Sequence, residues 1–253
     1  MINEKYKNIL SKYISILKYF LFYQFFIKKV AIKTINEVHV FCQGESLNHY
    51  DNLIGENLTS KPDVAVLANF EKNNLIDSNL KRNLKNVPLI FVANITEPVL
   101  YFSNIIGIKL FKVFVGRFNR KNSHNPYKRT NCRLNKISNK VNYMPNELLP
   151  IYSKLFFTDK AGANIGLLAL LVACHHKPKN IIICGLDFYE SEYFDGSLLS
   201  DMSLEHKKFV KEYSPIVKKN FIKIIQNFKN INFKIYTKSS IEVLEKNIEV
   251  IKL

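Results

Sequence analysis

The residues best suited to chemistry lie in Ile181 to Asp195, IIICGLDFYESEYFD. An apolar run here passes into Gly-Leu-Asp-Phe-Tyr, and Tyr193 follows four residues after Tyr189. Asp187, expected among the substrate-binding residues, sits at a strand end, where a buried carboxylate needs donors around it. The hydroxyls of Tyr189 and Tyr193 can point at one anion; packing is the plainer role for either. His206, in Ser-Leu-Glu-His-Lys, has the side chain of a general base near neutral pH, with a solvated helix position as the alternative. Upstream, Gly44 and Ser46 in Gln-Gly-Glu-Ser-Leu let backbone N–H groups approach an anion closely. Asn69 and Asn94 stand just past two apolar runs, where an amide bonds a base or ribose, or caps a turn. Gly162, after Lys160 and Ala161, opens an apolar helix whose amino end attracts negative charge. No H-x-x-x-H, D-x-D or P-loop pattern occurs, and His175 and His176 lack further ligands at metal spacing. No metal and no cofactor is expected.

These residues need a sheet to gather them. Five short runs read as strands: Val38 to Cys42, Val64 to Ala68, Leu89 to Ala93, Ile181 to Cys184 and Phe233 to Tyr236. Most are continuously apolar, as strands buried on both faces of a parallel sheet are. Ala163 to His175 is apolar nearly all round and predicts a core helix. Leu204 to Phe228 has helical spacing with Lys outward and a break expected near Pro215. Ser240 to Asn247 predicts a short closing helix capped by Ser239 or Ser240. Strands alternating with helices predict an α/β fold of Rossmann-like type with a mostly parallel sheet. One domain is expected over residues 37–253, and the Asn-, Lys- and Arg-rich stretch 118–144 reads as a lid.

Residues 1–36 are expected to form an amphipathic helix. Lys12, Lys18 and Gln24 interrupt its apolar stretch, which suits an anionic membrane surface, or packing on the domain, better than a membrane span. No small-residue cleavage site follows, so a signal peptide is not expected. Lys and Arg outnumber Asp and Glu by 37 to 21. Without zinc-finger spacing, an RNP-like motif or a basic recognition helix, that charge points to a membrane face or an acidic substrate rather than nucleic acid, unless it reflects genome composition. Cys42, Cys132, Cys174 and Cys184 form no C-x-x-C pair and read as buried, reduced thiols of a cytoplasmic protein.

In order, the G-x-S-L turn, the two Asn residues, the Gly before an apolar helix, the G-L-D-F-Y run, a second Tyr and a His resemble the bacterial sialyltransferases of glycosyltransferase family 42 and the wider sialyltransferase-like group. The resemblance covers roughly Val38 to Tyr236 and is sharpest at G-L-D-F-Y. It implies inverting, metal-independent transfer of sialic acid from a CMP-activated donor to a glycan acceptor, which can be lipid-linked. It implies that Gly44 and Ser46 line the phosphate and ribose, Asn69 and Asn94 hold cytidine and donor sugar, and Gly162 lies against the donor. Tyr189 and Tyr193 would bind the leaving phosphate, with His206 as base. Homo-oligomers are common in the family. Four features depart from its pattern: Ala161 replaces a Ser, the Tyr189–Tyr193 interval is short, the interval after His206 is long, and the apolar amino-terminal segment is extra. A related acid such as Kdo suits the same scaffold. The alternatives are a membrane-associated scaffold with a degenerate nucleotide site, and a pterin diphosphokinase-like enzyme. The latter needs a nucleoside triphosphate and metal-binding carboxylates.

Overall fold

The computed structural model describes residues 35–56, 60–68, 70, 79–84, 87–93, 109–116, 141–144, 164–191 and 204–253. Within these, eight strands form one sheet: β1 (Glu37–Phe41), β2 (Val64–Ala68), β3 (Pro88–Ala93), β4 (Lys109–Gly116), β5 (Val141–Met144), β6 (Asn180–Cys184), β7 (Asn232–Thr237) and β8 (Ile248–Lys252). The order is β5-β4-β3-β2-β1-β6-β7-β8, and every pair is parallel. The chain winds outward from β1 in one direction through β5. It then returns to β6 on the other side of β1 and winds the opposite way. Val38 therefore faces Val64 on one side and Ile181 on the other.

All four α-helices among the described residues are α1 (Tyr50–Gly55), α2 (Asn79–Asn83), α3 (Ile165–His175) and α4 (Leu204–Asn227); a 3-10 turn, Glu45–His49, precedes α1. Alternate strand residues feed two cores. Val38, Val40, Val66, Ile183 and Ile235 pack with α3 and with Val217, Phe221 and Ile224 of α4. Phe41, Leu67, Leu89 and Cys184 pack with Leu47, Tyr50, Leu53 and Leu84 on the other face. Every residue of α3 is buried, as its all-round apolar sequence requires.

The α/β architecture with a parallel sheet and the five expected strands are present. Four expectations change. First, α4 runs unbroken through Pro215. Proline removes one hydrogen bond, to the carbonyl of Lys211, but both residues are exposed, which leaves that carbonyl within reach of solvent. The buried face from Val217 to Ile225 holds the rest of the helix on the sheet. Second, residues 240–247 are not helical. The Ser239 hydroxyl donates to the Asp187 carbonyl, and the Ser239 N–H to Thr237 Oγ1 at 3.1 Å, so neither serves a helix start. Asn247 Nδ2 instead donates to the Ile231 carbonyl at 3.1 Å, and the chain then enters β8. Third, the end of the expected lid, Val141–Met144, is strand β5; residues 118–140 lie outside the described residues. Fourth, β4 and β8 extend the sheet beyond the five expected strands. The amino-terminal segment 1–34 lies outside the described residues. Among the described residues, no helix is long and apolar enough to cross a membrane.

Candidate functional site

The strand order reverses between β1 and β6, so the loops leaving their carboxyl ends diverge and open a crevice. Two glycines set how closely those loops approach. Gly185 follows β6 with φ +77°, in the left-handed region, and a side chain there would overlap the Cys42 carbonyl. Gly44 follows β1; a Cβ on it would stand 2.5 Å from Asp187 Oδ2 and 2.8 Å from the Gly185 carbonyl. In the space so left, Cys42 N–H donates to the Cys184 carbonyl at 2.8 Å, and Gly44 N–H to the Gly185 carbonyl at 2.7 Å. The β1–β6 pairing thus continues past both strands into the turns.

Asp187 fills the gap beside Gly44 and is 4 % exposed. Its Oδ2 accepts from Ser46 N–H at 2.8 Å and Ser191 Oγ at 2.7 Å. Its Oδ1 accepts from Thr237 Oγ1 at 2.9 Å and Lys238 N–H at 3.0 Å. One carboxylate therefore joins the chain segments that follow β1, β6 and β7. Ser46 is part of the same knot, since its buried Oγ accepts from Gly185 N–H at 2.9 Å. An ion pair between Lys238 and Glu45 closes the outer side.

Beyond Asp187 the backbone is unusual. Phe188 (φ 50°) and Tyr189 (φ 63°) are both left-handed, a conformation that non-glycine residues seldom adopt and that clusters at functional sites. Three anchors hold it. Glu190 N–H donates to the Asp187 carbonyl at 2.8 Å. The Phe188 ring meets Phe221 of α4 edge to face at 5.4 Å. Glu190 also takes Lys218 Nζ of α4 at 2.5 Å.

The third wall is the amino end of α3. Asn164 is its N-cap, with Oδ1 accepting from Gly166 N–H at 2.6 Å and Nδ2 donating to the Tyr189 hydroxyl at 2.5 Å. Gly166 lets the helix start abut β1, because a Cβ there would come within 2.9 Å of Cys42 Sγ. These segments enclose a cavity of about 150 Å³ lined by Cys42, Gly44, Asn164, Gly166, Asp187 and Tyr189, among others. A cavity of about this size accepts a benzene-sized group, which also suits a sugar ring or a phosphate. The helix end adds a partial positive charge to it.

Of the residues singled out from sequence, the structure brings Gly44, Asp187 and Tyr189 to this cavity and puts Ser46 directly behind it. Asn69, Asn94, Gly162 and Tyr193 lie outside the described residues. His206 is described by its backbone alone, as the third residue of α4. Asn164 and Gly166 were not expected. The signal for them was an Asn two residues ahead of a Gly at the start of an apolar run, which is the pattern of a capped helix.

Other reactive side chains are held quiet. Burial pushes the Cys42 and Cys184 thiols up, away from the nucleophilic thiolate, and the Asp187 charge adds to the effect at both. Cys174 is raised by burial as well, and all three are free. Burial, with the nearby His176 and Lys177, pushes His175 down to about 3, so the imidazole is neutral and packs on Phe228. Towards the amino end of β1, buried His39 lies between the Tyr50 hydroxyl (2.8 Å) and Glu37 Oε1 (2.9 Å). Burial lowers the His39 pKa, although Glu37 opposes it. A groove of about 630 Å³ opens there, and several of its charged and amide groups pair with one another, as in Lys234–Glu249 and Asn232–Asn180. Among the described residues no cluster of three or more His, Cys, Asp or Glu is placed to hold a metal ion.

Compared with known proteins, the chain matches no family model and no curated sequence.

Proposed function

We propose that this chain is a Rossmann-like, inverting and metal-independent glycosyltransferase. In this reading it moves sialic acid, or a related acid such as Kdo, from its CMP-activated form to a cell-surface glycan. The observation that carries the reading is the cavity at the reversal of strand order, walled by the G-L-D-F-Y turn, the Gly44 turn and the amino end of α3. Open parallel sheets bind nucleotides at such a point, and a helix amino end favours a phosphate.

In this account the acceptor oxygen bonds to the anomeric carbon as the bond from that carbon to the phosphate oxygen breaks. CMP leaves with the bonding pair, and the acceptor proton passes to His206. Tyr189 and Tyr193 donate to the phosphate oxygens as charge grows on them, which stabilises the transition state more than the ground state. Asn69, Asn94 and Gly162 serve the cytidine and the donor sugar. Gly44 and Asp187 line the cavity, and Ser46 shapes it from behind. The net charge of +16 and the amino-terminal segment support work at the cytoplasmic face of the inner membrane, on acidic sugars and a lipid-linked acceptor.

The test is CMP release from CMP-sialic acid, with CMP-Kdo in parallel and no added metal. One donor should turn over, and His206→Ala should slow it by about a hundredfold or more, the usual weight of a general base. No turnover of either donor, or equal rates in the variant, would remove the reading.

A further inference from the structure

The strongest unassigned feature beside the cavity is the Asn164–Tyr189 pair. An asparagine amide has one acceptor oxygen and one donor nitrogen, and at the N-cap the oxygen is committed. Oδ1 accepts from Gly166 N–H at 2.6 Å, which fixes the amide so that Nδ2 faces the Tyr189 hydroxyl at 2.5 Å. Nδ2 can only donate, so the phenol oxygen must accept from it. Tyr189 then acts as a donor toward any other acceptor it meets. Its backbone, at φ 63° in a turn pinned by Glu190 N–H, gives the ring little freedom to leave this partner. Both side chains line the cavity.

We infer that Asn164 is a positioning residue that fixes the polarity of the Tyr189 hydroxyl, so that an anion entering the cavity meets a phenol donor beside the amino end of α3. The ligand class is a phosphate monoester; its identification as CMP rests on the function proposed above. Asn164 itself needs no contact with the ligand. It works through the helix cap on one side and the phenol on the other.

Two variants separate the roles. Asn164→Ser keeps a good N-cap and loses the amide donor. Asn164→Asp keeps the cap and turns the donor into an acceptor, which draws the phenol proton away from the cavity. The assay is calorimetric titration of the full chain with CMP, cytidine and inorganic phosphate, beside thermal melting. Asn164→Ser should weaken CMP about tenfold while cytidine affinity stays level, and Asn164→Asp should weaken CMP further. Both should melt within about 3 °C of wild type, since the cap persists. With Tyr189→Phe in place, Asn164→Ser should cost no further affinity. If Asn164→Ser leaves CMP affinity unchanged, or weakens CMP and cytidine alike, the positioning role falls while the nucleotide reading stands. If wild type binds inorganic phosphate but not CMP, and Asn164→Ser weakens that phosphate binding, the positioning role stands and the nucleotide reading falls. Wild type binding neither CMP nor phosphate would overturn both.

Discussion

Replacing Asp187 by alanine strips the acceptor from four donors that belong to three segments of chain. Two of them, the Ser191 and Thr237 hydroxyls, can rotate to other partners, and Thr237 Oγ1 already lies 3.2 Å from the Leu186 carbonyl. The other two are backbone N–H groups, of Ser46 and Lys238, which cannot. Each stranded buried donor costs about 1–3 kcal/mol. Asp187→Ala should therefore destabilise the protein by about 2–6 kcal/mol, against a typical total of about 5–15 kcal/mol. Asp187→Asn is the sharper probe. Its amide oxygen keeps one pair of donors, while its NH₂ opposes either Ser46 N–H or Lys238 N–H, with a hydroxyl turning over beside it. One backbone donor is stranded instead of two, so the cost should be about 1–3 kcal/mol. Urea unfolding followed by circular dichroism gives both values. Asp187→Asn within about 0.5 kcal/mol of wild type, or the two variants equal, would refute the view that this carboxylate ties the strand ends together.

Three further outcomes follow from the same geometry. Gly44→Ala should cost about 1–3 kcal/mol by overpacking, and less in an Asp187→Ala background, because two of its three closest contacts are carboxylate atoms; strict additivity in urea unfolding would count against this. His175 titrates near 3 when folded and near 6.5 when unfolded, so below about pH 6.5 the unfolded chain takes up the proton first. The resulting stability is complete above that pH and is lost as pH falls from about 6.5 towards 3, by about 3–5 kcal/mol in all; His175→Phe should flatten that part of the stability–pH curve, and an unchanged slope would contradict it. Cys42, Cys174 and Cys184 should resist iodoacetamide in the native protein at pH 8 and react once it is unfolded, as read by mass spectrometry; rapid native labelling at any of them would contradict its place in the core.

The sequence made the centre of the sheet legible and its edges illegible, for a physical reason. Strands such as Val64–Ala68 are buried along their whole length and so read as unbroken apolar runs. Ile248–Lys252 at one edge alternates with charge, and Val141–Met144 at the other has four residues in a polar stretch. Neither carries a strong periodic signal. The stretch after Ser240 has helix-like spacing, but Ile241 packs against the core while Leu244 is 98 % exposed, so its apolar side chains share no buried face. The candidate site shows the same division. Gly44, Asp187 and Tyr189 are legible because strand ends announce them. Ser46 is legible in the same way, but its bond to Asp187 is not, since the two are 141 residues apart, and neither is the bond from Thr237, 50 residues away. Those contacts make Asp187 a brace between strand ends as well as part of the cavity wall. Asn164 is hidden because Gly162 resembles the opening of the apolar run, four residues before the glycine that meets Cys42.

The most direct test of the central claim is hydrogen exchange of the full chain with and without saturating CMP. The account predicts slower exchange in peptides covering residues 42–47, 164–168 and 185–191, with the groove at 246–250 unchanged. Protection confined to that groove, or exchange unaltered everywhere, would contradict a nucleotide site at the reversal of strand order.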